Sequence, residues 1–157
     1  GPQSRGLGDV YKRQIVDYAH TPEGVSAAIA SVRNLSTGRV IAVIGAGGDR
    51  DRAKRPLMGE AGSAADFLIV TSDNPRTEDP GAIIADIVAG VSTSNAAPIV
   101  DRRAAIHAAV ERAADGDIVL VLGKGHERSQ EIGDRILPFD DRLVSRTALA
   151  ERRDRLA

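Results

Sequence analysis

Three short polar segments carry the residue types that could bind a small charged molecule. Gly45–Arg55 combines closely spaced glycines with four cations, Asp73–Arg76 joins an asparagine to an arginine, and Gly123–Glu127 places a lysine, a histidine and a glutamate among glycines. An arginine can hold a carboxylate or a phosphate through two parallel hydrogen bonds, and an asparagine can both donate and accept. Glycines let a backbone approach a ligand closely. These residue types indicate a site for phosphate or carboxylate groups.

No one of these segments is decisive by itself. The glycines at 45–48 resemble a dinucleotide-binding loop, but Arg50 stands where that pattern requires glycine. Gly123–Glu127 lacks the six-residue spacing and the hydroxyl residue of a P-loop. Asp73–Arg76 is also an ordinary turn sequence, and charges in a loop can simply be solvated. A ligand site therefore requires that the fold bring the three segments together.

Other kinds of catalytic site are not indicated. His20, His107 and His126 show no metal-ligand spacing with one another or with nearby acids, so no metal site is predicted. The chain has no cysteine and no G-x-S-x-G sequence, so covalent catalysis is not predicted either. The paired acids Asp140 and Asp141 are interpreted as a helix cap and a first-turn charge.

Each polar segment directly follows a run of apolar residues that reads as a buried strand: Val40–Ile44, Phe67–Thr71 and Ile118–Leu122. Amphipathic helical patterns separate the strands, and this alternation predicts right-handed βαβ units around a mostly parallel sheet. The carboxyl ends of parallel strands lie along one edge of the sheet, where ligands bind in such folds. The three segments are therefore expected to face one crevice.

The remaining elements complete an α/β prediction, a three-layer Rossmann-like sandwich. Ile15–Tyr18 and Pro98–Val100 are further strands, and a helix is expected to start at Pro56. Gln130–Ile132 and Arg135–Leu137 flank Gly133-Asp134, a hairpin signal, and are expected to add an antiparallel edge to the sheet. Four residues are expected to cap helices at their amino ends: Thr21, Asp79, Asp101 and Asp140.

Length and composition predict a single cytoplasmic domain. The chain has 157 residues, a net charge of −1 and no cysteine, so neither nucleic acid nor an anionic membrane is expected as a partner. No apolar run approaches the roughly 20 residues of a membrane helix. Residues 1–14 fit none of these patterns and are interpreted as a non-native or disordered leader, which leaves residues 15–157 as the domain.

Four segments in order resemble the Mur ligase family: VDYAHTP (Val16–Pro22), GGDRDRAKRPLMG (Gly47–Gly59), DNPRTEDP (Asp73–Pro80) and GKGHE (Gly123–Glu127). The resemblance is to the carboxy-terminal domain of its diaminopimelate-adding branch. It implies an ATP- and Mg²⁺-dependent amide ligase of peptidoglycan synthesis, which forms an acyl phosphate on UDP-N-acetylmuramoyl-L-alanyl-D-glutamate for an amine to attack. The P-loop and magnesium ligands of the family belong to a central domain that has no match here, so this chain alone is expected to be inactive. It is also expected to be a monomer.

The resemblance also implies roles for individual residues. Those implied to bind meso-diaminopimelate are Arg50, Asn74, Arg76, Gly123 and Glu127. Asp73, Pro75 and Lys124 would support the loops, Asp17 would reach the ATP ribose, and His20 would lie near the nucleotide. No general base is required, although His126 can be considered for that role.

Three alternatives stay open on the sequence. The chain could belong to a lysine-adding ligase of the same family, or to a ligase resembling folylpolyglutamate synthase. It could also be a small-molecule-binding module without catalysis. Arg76 argues against lysine as the substrate, because lysine has no distal carboxylate to pair with a guanidinium.

Overall fold

A computed structural model describes residues 13–157 of the chain. Five parallel strands form the central sheet in the order β1-β5-β2-β3-β4. The strands are β1 Arg13–Asp17, β2 Val40–Ile44, β3 Phe67–Val70, β4 Ala96–Pro98 and β5 Ile118–Leu122. The helices are α1 Pro22–Arg33, α2 Lys54–Gly62, α3 Pro80–Val88, α4 Arg102–Arg112 and α5 Asp141–Leu156.

Both faces of the sheet are covered, which confirms the predicted three-layer sandwich. Alternate residues of β2 show the division, because Val40, Ala42 and Ile44 pack into one apolar cluster and Ile41 and Val43 into another. The first cluster also contains residues of α1, α2 and α3, and the second contains residues of α4 and α5. Strands buried on both faces read as continuous apolar runs, which explains why these strands were recognisable in the sequence.

The hairpin is correctly located, but the prediction that it extends the main sheet is wrong. β6 Ser129–Ile132 and β7 Arg135–Pro138 form a separate two-stranded antiparallel sheet. The backbone of β6 pairs instead with a site loop, since Arg76 N donates to Glu131 O at 2.9 Å and Arg76 forms a parallel bridge with Ile132. The hairpin therefore covers the carboxyl ends of the strands.

Several predicted boundaries shift by two residues. α2 begins at Lys54, and Pro56 lies inside its first turn, where a residue without an N–H is tolerated. β4 covers Ala96–Pro98 because those residues pair with Leu68–Val70. All four predicted capping side chains accept backbone N–H bonds at the starts of their helices: Thr21, Asp79, Asp101 and Asp140.

The predicted leader overlaps β1 at its last two residues. Arg13 and Gln14 pair with Ile118 and Val119, and Gln14 Nε2 donates to Ser145 O at 2.8 Å. The strand predicted from Ile15 therefore begins two residues earlier, at Arg13. The rest of the predicted leader, residues 1–12, lies outside the described residues.

A buried ion pair between α4 and α5, on one face of the sheet, is tied to the strand ends. The side chains of Arg102 and Asp141 are fully buried and joined by two hydrogen bonds of 2.8 and 2.6 Å. Arg102 also donates to Ser72 O and Leu122 O, just after β3 and at the end of β5. No helix in the described part of the chain is long and apolar enough to cross a membrane.

Candidate functional site

A cavity of about 410 Å³ opens where β2, β3 and β5 end. All five residues expected to bind the amino acid line it: Arg50, Asn74, Arg76, Gly123 and Glu127. The cavity also includes Asp73 and His20 from the predicted set, and Tyr18, Asp51 and Lys54, which the sequence analysis had not assigned to it. The predicted convergence of three loops on one crevice is therefore found in the structure.

Lys124 is the buried centre of this arrangement. Its ammonium is fully buried and donates to Asn74 Oδ1 at 2.7 Å and to Ser129 O at 2.9 Å. It also lies 3.2 Å from Asp73 Oδ1 and 3.7 Å from Glu127 Oε1. One cation thus contacts three cavity-lining side chains from two loops.

The amide of Asn74 is held in one orientation. Its Oδ1 accepts from Lys124 Nζ and, at 3.0 Å, from Glu131 N, so both neighbouring groups are donors. The amide nitrogen must then point away from them, which leaves its two N–H groups as donors at the cavity wall. Gln130 reinforces this loop by donating to Asp73 O at 2.8 Å.

Arg76 occupies a strained backbone position at the cavity. Its φ of 53° lies in the left-handed region, which residues other than glycine adopt rarely and often at functional sites. Its Nη1 donates to Gly48 O at 2.9 Å, and its Nε lies 3.6 Å from Glu131 Oε1. Part of the guanidinium is therefore used to position the side chain, and the remaining N–H groups are available to a ligand.

The loop after β2 contacts the loop after β3 at Gly48, a position that requires glycine. Gly48 N donates to Asn74 O at 2.8 Å, and a Cβ on Gly48 would come within 1.8 Å of Pro75 O. A side chain at position 48 would therefore force the loops apart. Pro75 is buried and stands between Asn74 and Arg76, which line the cavity. Gly123, at a φ of 116°, makes the corresponding approach to Asp73 on the other side.

The end of β1 forms the far side of the crevice. Asp17 is exposed, its Oδ2 accepts from Ala19 N at 2.9 Å, and its backbone oxygen accepts from Gly123 N. The rings of Tyr18 and His20 meet edge to face at 4.6 Å between centroids. Asp17, Tyr18 and His20 line a second, larger pocket of about 630 Å³ beside α1. Asp17 and His20, the two residues expected to contact a nucleotide, thus lie beside the cavity at the strand ends, and His20 lines both.

Most of the chain matches a known protein family. The family described as "Mur ligase, glutamate ligase domain" matches residues 8–125. The chain belongs to the Mur ligase family. A UDP-N-acetylmuramoyl-L-alanyl-D-glutamate--2,6-diaminopimelate ligase of Syntrophomonas wolfei is 56% identical over 135 residues, which are 83% of this chain and 28% of that protein. The same-named ligase of Geobacillus thermodenitrificans is 53% identical over 142 residues, 88% of this chain and 29% of that protein.

A solved structure is similar over the same region. The structure of a UDP-N-acetylmuramoyl-L-alanyl-D-glutamate--2,6-diaminopimelate ligase superposes with a TM-score of 0.86 at 44% identity, covering 90% of this chain and 30% of that one. This Mur ligase chain therefore spans less than a third of the length of the relatives and of the structure it matches.

The cationic residues between positions 50 and 55 of this Mur ligase chain have two kinds of location: some line the cavity, and Arg55 is buried behind the loop. Arg50 and Lys54 line the cavity, and Lys54 Nζ donates to His20 O at 3.1 Å. Arg55 is fully buried and binds Glu78 through two hydrogen bonds of 2.7 and 3.0 Å, with Asp86 at 3.1 Å. Arg55 also donates to Gly47 O, so it supports the glycine loop from behind.

The Arg55–Glu78 pair makes loop stability depend on pH. Hydrogen bonds from the Arg55 side chain and from Asp49 N lower the pKa of Glu78 from its ordinary value of 4.5 to about 2. Because the folded-state pKa is depressed, the stabilisation is fully present above pH 4.5 and is lost as the pH falls towards 2. The stabilisation by the Arg55–Glu78 pair is absent once Glu78 is protonated in both the folded and the unfolded chain.

We therefore expect Glu78→Gln to be less stable than the wild type at pH 7, and the difference to shrink between pH 4.5 and 2. Urea unfolding of both proteins between pH 7 and pH 2 measures this difference in the free energy of unfolding. Glu60→Gln is the matched control, since Glu60 is an exposed carboxylate of α2. A difference for Glu78→Gln that stayed constant down to pH 2 would contradict the assigned pairing.

His126 is placed differently from its neighbours in GKGHE. Its side chain is exposed and is not among the residues that line the cavity. The structure therefore gives no geometric support to a role as general base. Among residues 13–157 no group of three or more histidine, aspartate or glutamate side chains could hold a metal ion.

Proposed function

We propose that this chain is the diamino-acid-binding domain of an ATP-dependent ligase that joins meso-diaminopimelate to UDP-N-acetylmuramoyl-L-alanyl-D-glutamate in the cytoplasm. The supporting observation is the balanced charge of the cavity. Three cations, Arg50, Lys54 and Arg76, face three carboxylates, Asp51, Asp73 and Glu127. Meso-diaminopimelate carries two ammonium groups and two carboxylates at neutral pH, so a cavity with both signs of charge suits it. The names of the closely similar ligases point to the same substrate.

In this proposal the arginines and Asn74 bind the carboxylates, and Glu127 binds an ammonium. The amine that reacts loses its proton and attacks the acyl phosphate of the dipeptide, which forms the C–N bond as phosphate leaves. The domain contributes by positioning this amine, and positioning can supply up to about 7–11 kcal/mol of a barrier in favourable cases. No described side chain needs to form a covalent bond.

ATP is assigned in part to the end of β1. Asp17 Oδ2 is engaged by Ala19 N, and Oδ1 of this exposed carboxylate remains an acceptor for a ribose hydroxyl. His20 and Tyr18 lie between the two pockets, where a nucleotide would adjoin the amino acid. Mg²⁺ and the UDP-linked dipeptide are assigned to other domains of the ligase. Bound ATP supplies the phosphoryl group that activates the dipeptide carboxylate.

Calorimetric titration of the chain with meso-diaminopimelate and with lysine tests this proposal. We expect saturable binding of meso-diaminopimelate and much weaker binding of lysine, because the N–H groups of Arg76 that would bind the distal carboxylate are left without an acceptor when lysine binds. Equal binding of both amino acids would favour a lysine-adding ligase. Absence of binding by both would remove the basis for a diamino-acid site in the isolated domain.

Arg76→Ala is expected to weaken meso-diaminopimelate binding by roughly 10-fold or more, the effect of losing a charge-assisted hydrogen bond of about 1.5–3 kcal/mol. Lysine binding should change far less. Arg52→Ala is the matched control, because Arg52 is exposed, pairs with Asp86 and does not line the cavity. If the affinities for both amino acids fell equally, Arg76 would be a structural residue of the loop and would not recognise the distal carboxylate.

A further inference from the structure

A further pocket, of about 590 Å³, lies on the α4–α5 face of the domain and shares no lining residue with the cavity at the strand ends. Four arginines line it: Arg103, Arg128, Arg142 and Arg146. Among the described residues that line it Asp140 is the only acid, so the charge of this lining is close to +3 in a chain whose net charge is −1. Such a local excess of one sign within a concave surface attracts anions.

The arginines of this pocket are largely unpaired. Within residues 13–157, Arg103, Arg128 and Arg146 are exposed and form no ion pair. Arg103 instead lies over the ring of Phe139, 5.5 Å from its centroid. Arg142 Nε is buried without a hydrogen-bond partner, and Asp140 Oδ1, at 3.8 Å, is too far to supply one. The Arg142 side chain as a whole is nonetheless 40% exposed, and it lines the pocket with the other three arginines.

We propose that this arginine pocket binds a di- or triphosphate group. The guanidinium fork matches phosphate oxygens in pairs, and three to four charges on one compact group match a local charge near +3. Single carboxylates spaced along a peptide cannot place as much charge in a volume of this size. The site is independent of the amino-acid cavity, so it goes beyond the function proposed above.

The pocket also adjoins a loop of the cavity. Arg128 directly follows Glu127 in the chain, and Phe139 N donates to Arg128 O at 2.9 Å. A phosphate held by Arg128 would therefore restrain the segment that carries Glu127. Bound phosphate is expected to raise the thermal unfolding temperature of the chain, because a ligand that binds only the folded state stabilises it.

Titration of the 157-residue chain with sodium tripolyphosphate at low ionic strength, without divalent cations, tests the proposal. We expect saturable 1:1 binding that Arg142→Gln combined with Arg146→Gln weakens at least about 10-fold, a difference of about 1.4 kcal/mol. Arg52→Gln and Arg135→Gln together are the matched control, since they also remove two positive charges but lie just before α2 and on the hairpin, outside both pockets. The control is expected to change the affinity less than two-fold.

Three results would overturn the proposal: no saturable binding, equal weakening by the two double variants, or equally tight binding of a short glutamate peptide. Equal weakening would mean attraction by the overall charge, and peptide binding would mean that the site does not select phosphate.

A second titration compares the binding of ADP with that of pyrophosphate. Tighter binding of ADP would identify a nucleotide as the source of the phosphates, and equal binding would identify a free diphosphate.

Discussion

Asp141→Asn is expected to lower the free energy of unfolding by about 3–5 kcal/mol, the range found when one partner of a buried ion pair is removed. Asp141 and Arg102 are both fully buried, and the carboxylate accepts two hydrogen bonds from the guanidinium. Burial alone would lower the pKa of Arg102, but its hydrogen bonds to Asp141 raise it, so the guanidinium stays charged in the interior. The variant leaves that charge without a counter-ion.

Urea unfolding at pH 7 measures this effect, with Glu111→Gln as the control. Glu111 pairs with Arg152 at the half-exposed surface, where an ion pair contributes about 0–1 kcal/mol. The double variant Arg102→Met, Asp141→Leu is expected to recover part of the lost stability, since it removes both charges. Recovery should be incomplete, because Ser72 O and Leu122 O lose their donor. A loss under 1 kcal/mol for Asp141→Asn would contradict this account.

The Arg102–Asp141 pair could not be predicted from the sequence. Asp141 was interpreted as a first-turn charge, and Asp140 as the cap, because neighbouring residues decide those roles. The cap is confirmed, since Asp140 accepts from Arg142 N and Leu143 N. The partner of Asp141 is 39 residues away on another helix. A single sequence contains no periodicity or spacing that connects such residues.

The strands and the site loops were predictable for a physical reason. Buried parallel strands are continuous apolar runs, and their carboxyl ends must lie along one edge of the sheet. Arg50, Asn74 and Glu127 therefore line one cavity as expected. The docking of β6 against the loop of Arg76 was not predictable, because it uses backbone groups and an unusual φ at a residue other than glycine. Local signals located the hairpin but could not show what it would contact.

Lys124→Met is expected to weaken meso-diaminopimelate binding by roughly 100-fold, equivalent to about 2.7 kcal/mol, and to destabilise the domain as well. The ammonium of Lys124 is the common partner of Asp73, Asn74 and Glu127, all of which line the cavity. Methionine fills a similar volume but carries no charge and donates no hydrogen bond. Asp73 then becomes a nearly buried carboxylate without a counter-ion, and Asn74 loses one of the two donors that orient its amide.

Calorimetric titration and urea unfolding of the same variants separate the two consequences. Lys54→Met is the matched control, because Lys54 also lines the cavity but, within residues 13–157, its hydrogen bond is to the exposed His20 O. We expect it to change stability little and affinity less than 10-fold. Adding Asp73→Asn to Lys124→Met should restore stability, since it removes the carboxylate left unpaired, yet it should not restore binding. If the double variant were no more stable than Lys124→Met alone, the ion pair between Lys124 and Asp73 would not be what holds the two loops together.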